Sequence, residues 1–149
     1  MTAEQLENWI LSKYDGIIVT NAYRERSFFY NPDYSLKKGI YFTTIKESDG
    51  PNDKASDLNR DNIYRISIGI GKNDYEKLFG PKPKRPAKGG VVDIAFDFTQ
   101  KGVLMPHPVY AWMGWVAFNN PTTKDLGTIE KLLDISYQNS KIKFSKKKL

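Results

Sequence analysis

The chain has 149 residues, 40% of them hydrophobic and 13% aromatic, which suits one globular domain and excludes a disordered chain. It has no cysteine and one histidine, so disulfides, thiolate metal sites, cysteine nucleophiles and multi-histidine metal centres are excluded. The net charge of +6 is unevenly placed: Lys82, Lys84, Arg85 and Lys88 form one acid-free stretch, and Lys141, Lys143, Lys146, Lys147 and Lys148 form another. These nine charges exceed the net, so the rest of the chain is slightly acidic.

Thr2-Ala3-Glu4-Gln5 has the pattern of a capping box, and Leu6, Trp9, Ile10 and Tyr14 follow at helical spacing, which predicts a helix over Ala3 to Lys13. Asp15-Gly16 ends it. Ile17 to Tyr23, Ser27 to Tyr30 and Gly39 to Lys46 are rich in β-branched and aromatic residues and predict three closely spaced strands, an antiparallel meander. Glu47 to Asn59 is a polar loop. Ile63 to Ile70 is a fourth strand, with Ile66, Ile68 and Ile70 on one face and Arg65 and Ser67 on the other.

Asn73 is expected to cap a short helix from Asp74 to Phe79, with Tyr75, Leu78 and Phe79 facing inward. Pro81 to Gly90 is a Pro/Lys/Gly loop. Val91 to Phe98 leans toward strand, Val103 to Pro106 is short and apolar, and Tyr110 to Phe118 reads as a buried strand. Thr123 to Asn139 carries Leu126, Ile129, Leu132, Leu133 and Tyr137 at helical spacing, with Gly127 weakening its first turn. Strands without intervening helices argue against a parallel sheet. The expected fold is α+β: a twisted antiparallel sheet with the N- and C-terminal helices packed on one face, in a single domain of residues 1–140 followed by a flexible basic tail, 141–149.

Gly69-Ile70-Gly71-Lys72 is no phosphate loop, because Ile66 stands where the first glycine is needed and Asn73 where a hydroxyl is needed. His107 lies between Pro106 and Pro108, which stiffen the backbone around it. It reads either as a general base or as a buried hydrogen-bonding post. Gly114 between Trp112 and Trp115 signals a bulge or a close backbone approach; the tryptophans are core or a stacking platform. Acids around these residues are Asp93 and Asp97 near His107, and Asp49, Asp53, Asp57 and Asp61 in the polar loop, with Arg65 beside it.

Two stretches, IYRISIGIGKNDYEKLFG over Ile63 to Gly80 and LMPHPVYAWMGWVAFNNP over Leu104 to Pro121, resemble a bacterial family known only as a domain of unknown function, with an HPVY…GWV signature; Ser56-Asp57-Leu58 fits it too. The run Leu132-Leu133-Asp134-Ile135-Ser136-Tyr137 is similar, more distantly, to the end of MmcQ/YjbR-like proteins. That resemblance implies a CyaY-like fold and brings with it a double-wing DNA-binding label.

The expected function is a non-enzymatic domain that binds a ligand or nucleic acid. The alternative is a small-molecule pocket, or an enzyme using His107 with Arg65 and nearby acids. Candidate binding residues are Arg65, His107, Tyr110, Trp115 and Asp57. Weak, sequence-independent contact with nucleic acid would use Lys82, Lys84, Arg85, Lys88, Lys146, Lys147 and Lys148. No metal or cofactor is expected. No apolar run approaches the ~20 residues of a membrane span, and the N-terminus lacks a signal-peptide pattern, so a cytoplasmic protein is expected.

Overall fold

The computed structural model describes residues 1–148. Helix α1 (Ala3–Lys13) opens with the capping box: the Gln5 N–H donates to Thr2 Oγ1, and the Thr2 N–H donates to Gln5 Oε1. Strands β1 (Ile17–Ala22), β2 (Glu25–Tyr30), β3 (Ile40–Lys46) and β4 (Arg65–Gly69) follow. Then come α2 (Lys72–Phe79), β5 (Leu104–Pro106), β6 (Trp115–Asn119) and α3 (Leu126–Lys148). The six strands form one antiparallel sheet in the order β1-β2-β3-β4-β6-β5. The register slips between Phe28 and Phe29, which pair with Thr43 and Tyr41 and leave Phe42 as the extra residue of a bulge.

Helices α1 and α3 cover one face. Leu6 and Ile10 of α1 and Ile129 and Leu133 of α3 are fully buried, together with Phe28, Phe42, Ile45, Ile66, Ile68 and Val116 from the strands. Side chains alternate along a strand and the bulge shifts the phase of β3, so this apolar set, Phe42 and Ile45 together, occupies the helix-covered face; Ile66 and Ile68 share a face, as expected. Ser136 Oγ of α3 donates to the Phe42 carbonyl at 2.7 Å, and Tyr137 packs edge-on against Phe42 at 5.6 Å. The two helices are tied to each other by Tyr14, whose hydroxyl donates to Asp134 at 2.6 Å.

The structure departs from the expected elements in five places. Gly71, not Asn73, caps α2, and Leu78 is 46% exposed, since an eight-residue helix on the rim buries only Tyr75. Residues 91–98 form no strand; Val92 and Phe98 are buried within an irregular segment. Tyr110 to Phe118 is not one strand, because Ala111–Met113 form a 3-10 turn and Gly114 is left-handed at φ 81°. Gly114 is needed there: a Cβ on it would lie 2.6 Å from the Gly71 carbonyl carbon. The C-terminal helix starts after a 3-10 turn at Thr123–Asp125, capped by Thr122. Finally, the segment read as a tail continues α3 to Lys148, with Phe144 buried and edge-on to Tyr30 at 5.2 Å; Leu149 lies outside the described residues.

Candidate functional site

The helix-free face of the sheet carries the polar side of the same alternation. Arg65 and Ser67 of β4, Thr44 and Lys46 of β3 and Glu25 of β2 belong to it. Two long connections fold over this face, residues 47–64 and 80–103. Arg60 staples them, its guanidinium donating to the carbonyls of Ser56 and Thr99 at 3.0 and 2.8 Å. Asn119 of β6 anchors the second through the carbonyls of Phe98 and Gln100.

Arg65 is 1% exposed. Its Nη1 donates to Asp53 Oδ1 and to Ser56 Oγ, each at 3.0 Å, its Nη2 donates to Asp53 Oδ2, and its Nε donates to Ser67 Oγ at 3.3 Å. This is a bidentate ion pair in a nearly dry setting. Burial pushes the Asp53 carboxyl up, but the hydrogen bonds and charge of Arg65 outweigh it and hold Asp53 below the usual carboxylate range.

His107 is 3% exposed and sits against the same guanidinium, with Nε2 3.2 Å from Arg65 Nη2. Its Nδ1 accepts from the backbone N–H groups of Val109 and Tyr110, both at 3.0 Å. The Pro106-His107-Pro108 backbone begins the turn that brings those two N–H groups back onto the ring. A neutral imidazole has one N–H and one acceptor nitrogen. With Nδ1 accepting twice, the proton belongs on Nε2. Arg65 is itself a donor and cannot accept it. Burial, then the Arg65 charge, holds the His107 pKa well below its ordinary value, so the ring is neutral.

A cavity of about 270 Å³ opens beside this group, bordered by Glu25, Tyr41, Thr44, Asp53, His107, Tyr110, Met113 and Trp115. Three aromatic rings form its walls. Tyr41 and Trp115 stand nearly perpendicular at 6.5 Å between centroids, and Tyr110 packs at 5.0 Å from the His107 ring. Trp115 can lie against β4 because its cross-strand partner there is Gly69.

Of the residues singled out from sequence, Arg65, His107, Tyr110 and Trp115 meet in this place. Asp57 does not: it has φ 52° and faces Arg60 at 3.7 Å, while Asp53 is the acid on Arg65. Asp97 is occupied by Thr99. Trp112 is away from the cavity wall, with the Arg85 guanidinium over its ring at 4.8 Å. Glu25, Tyr41, Thr44 and Met113 were not anticipated. Tyr41 and Thr44 would lie on opposite faces of a regular strand; the bulge at Phe42 brings both onto this face, and nothing in the sequence announced it or linked β2 and β3 to the histidine.

Among the described residues no group of three or more His, Cys, Asp or Glu is placed to hold a metal ion, and no helix is long and apolar enough to cross a membrane. No curated protein and no solved structure matches the chain. A family model does match, over residues 1–149: the chain belongs to the family of unknown function DUF6194.

Proposed function

We propose that the protein binds a small molecule in the cavity on the helix-free face of the sheet. The observation that carries this reading is His107, a buried ring whose Nδ1 lies 3.0 Å from two backbone N–H groups and whose Nε2 lies 3.2 Å from the Arg65 guanidinium, at the edge of an aromatic-walled cavity; we infer from it an Nε2–H that faces a donor. An unsatisfied buried donor costs about 1–3 kcal/mol, and a ligand oxygen or nitrogen that accepts from it recovers that cost. The volume is just under the ~300–1,000 Å³ of drug-sized sites, so the ligand is small. General-base chemistry at Nδ1 is disfavoured, because two N–H groups already occupy it.

The test uses the single histidine. Long-range ¹H–¹⁵N correlation spectra report the His107 tautomer directly, and the same spectra follow a titration with a library of small fragments. Ligands that shift both the His107 ring and the Trp115 indole are expected. A Nδ1–H tautomer, or fragment shifts confined to other parts of the surface, would sink the reading.

A second reading is sequence-independent contact with nucleic acid. It is favoured by Lys143, Lys146 and Lys147, all exposed on the last turns of an ordered helix. The MmcQ/YjbR likeness of the Leu132 to Tyr137 run adds an analogy of fold and no ligand.

A further inference from the structure

The charges around the cavity are layered. Glu25 and Asp53 border it, and no lysine or arginine does. Their cationic partners lie behind them: Arg65 is 1% exposed against 14% for Asp53, and Lys46 is 10% exposed against 32% for Glu25. The Glu25–Lys46 pair is loose, at 3.7 Å. The Tyr110 hydroxyl reports the resulting field: burial, then the charges of Asp53 and Glu25, push it up, and the opposing effect of Arg65 is smaller. Three aromatic rings and the Met113 thioether complete the lining. The Tyr41 ring already accepts a cation from the adjoining groove, where Lys38 Nζ lies 5.0 Å from its centroid. Both Asp53 oxygens are taken by Arg65, which leaves too few free oxygens for a hard metal ion.

Resting on the cavity reading above, we propose that the ligand is a small organic cation with an alkylated ammonium head. The head packs against Tyr41, Tyr110 and Trp115 with Glu25 as its counter-charge, and an oxygen on a short arm accepts from His107 Nε2–H. Rings at right angles with a carboxylate at the rim attract a diffuse cation through the ring quadrupoles, whereas a neutral ligand of the same shape gains only its area.

The experiment is calorimetric titration of the full chain with choline and with 3,3-dimethylbutan-1-ol, the alcohol in which carbon replaces the ammonium nitrogen. Choline is expected to bind about tenfold more tightly than the alcohol. Glu25→Gln should weaken choline several-fold and leave the alcohol unchanged. Tyr110→Phe, which keeps the ring, should retain choline binding, and Tyr110→Leu should lose it. Equal affinity for the two compounds, or no choline binding, overturns the cation assignment. If neutral or anionic fragments still shift His107 and Trp115, the cavity reading stands without it. If no fragment shifts either signal, the cavity reading falls as well.

Discussion

The indole of Trp115 lies on the backbone of Gly69, its partner across the β4–β6 ladder: a methyl group on Gly69 would stand 2.7 Å from Trp115 Cε2 and 2.9 Å from Nε1. Gly69→Ala must therefore displace the ring that forms one cavity wall. The expected cost is about 1–3 kcal/mol, as for other overpacked sites, with a change in tryptophan emission. Urea unfolding followed by fluorescence measures both, and an unchanged midpoint would show that the ring yields freely.

Asp53→Asn leaves the Arg65 guanidinium buried without its counter-charge. Breaking a buried pair from one side costs about 3–5 kcal/mol, so the variant should unfold at markedly lower denaturant. Replacing Arg65 by Met in the same chain should recover part of the loss, because the orphaned charge is then gone. Denaturation of the two single variants and the double variant closes the cycle.

His107 makes stability depend on pH in a window of its own. The folded ring is held neutral, while the unfolded ring titrates near its ordinary value of about 6.5. Below that pH the unfolded chain binds the extra proton, so stability is full above about pH 7 and falls as the pH drops, by up to about 1.4 kcal/mol per pH unit. Asp53, depressed in the fold, contributes stability above its unfolded pKa of about 4, and that is lost as the pH falls further. Urea midpoints at pH 8, 6 and 5 test the first window. In His107→Gln the slope between pH 7 and 5 should flatten, whatever its absolute stability.

The last turns of α3 are held by Phe144. Phe144→Ala, or a stop after Ser140, should cost about 3 kcal/mol, visible as a lowered thermal midpoint. Replacing Lys143, Lys146 and Lys147 by Gln should leave that midpoint within a degree or two. If these lysines contact nucleic acid, fluorescence anisotropy with a labelled duplex should show binding whose log–log salt slope becomes shallower by about 0.9 for each phosphate contact removed. No binding by the unaltered chain ends that reading.

Elements with a clean period were legible in the sequence. The capping box and helical spacing marked α1, and the alternation of Ile66 and Ile68 against Arg65 and Ser67 gave β4 its two faces. The unbroken apolar run from Tyr110 to Phe118 hid its own break, because the deciding contact is Gly114 against Gly71, far away in the chain. The lysines after Lys141 masked Phe144, which continues the α3 stripe seven residues beyond Tyr137. At the site, the rigid Pro-His-Pro backbone and the arginine of β4 drew attention to two residues that touch. Which loop aspartate completes the group was not readable, since all four share the same local setting and only the folded path of residues 47–64 selects Asp53.

The strand order places β6 between β4 and β5, so the centre of the sheet joins residues about fifty positions apart, Arg65 with Asn119 and Gly69 with Trp115. The first four strands can zip as a local meander, but the cavity takes Glu25, Tyr41 and Asp53 from that half and His107, Tyr110 and Trp115 from the other. It does not exist until this long-range docking is complete, the step that contact order makes late and slow. A molecule that fits it recognises the finished protein alone, and it stabilises the fold in proportion to the logarithm of its concentration over its Kd. A rise in melting temperature is thus a sufficient readout for a ligand search.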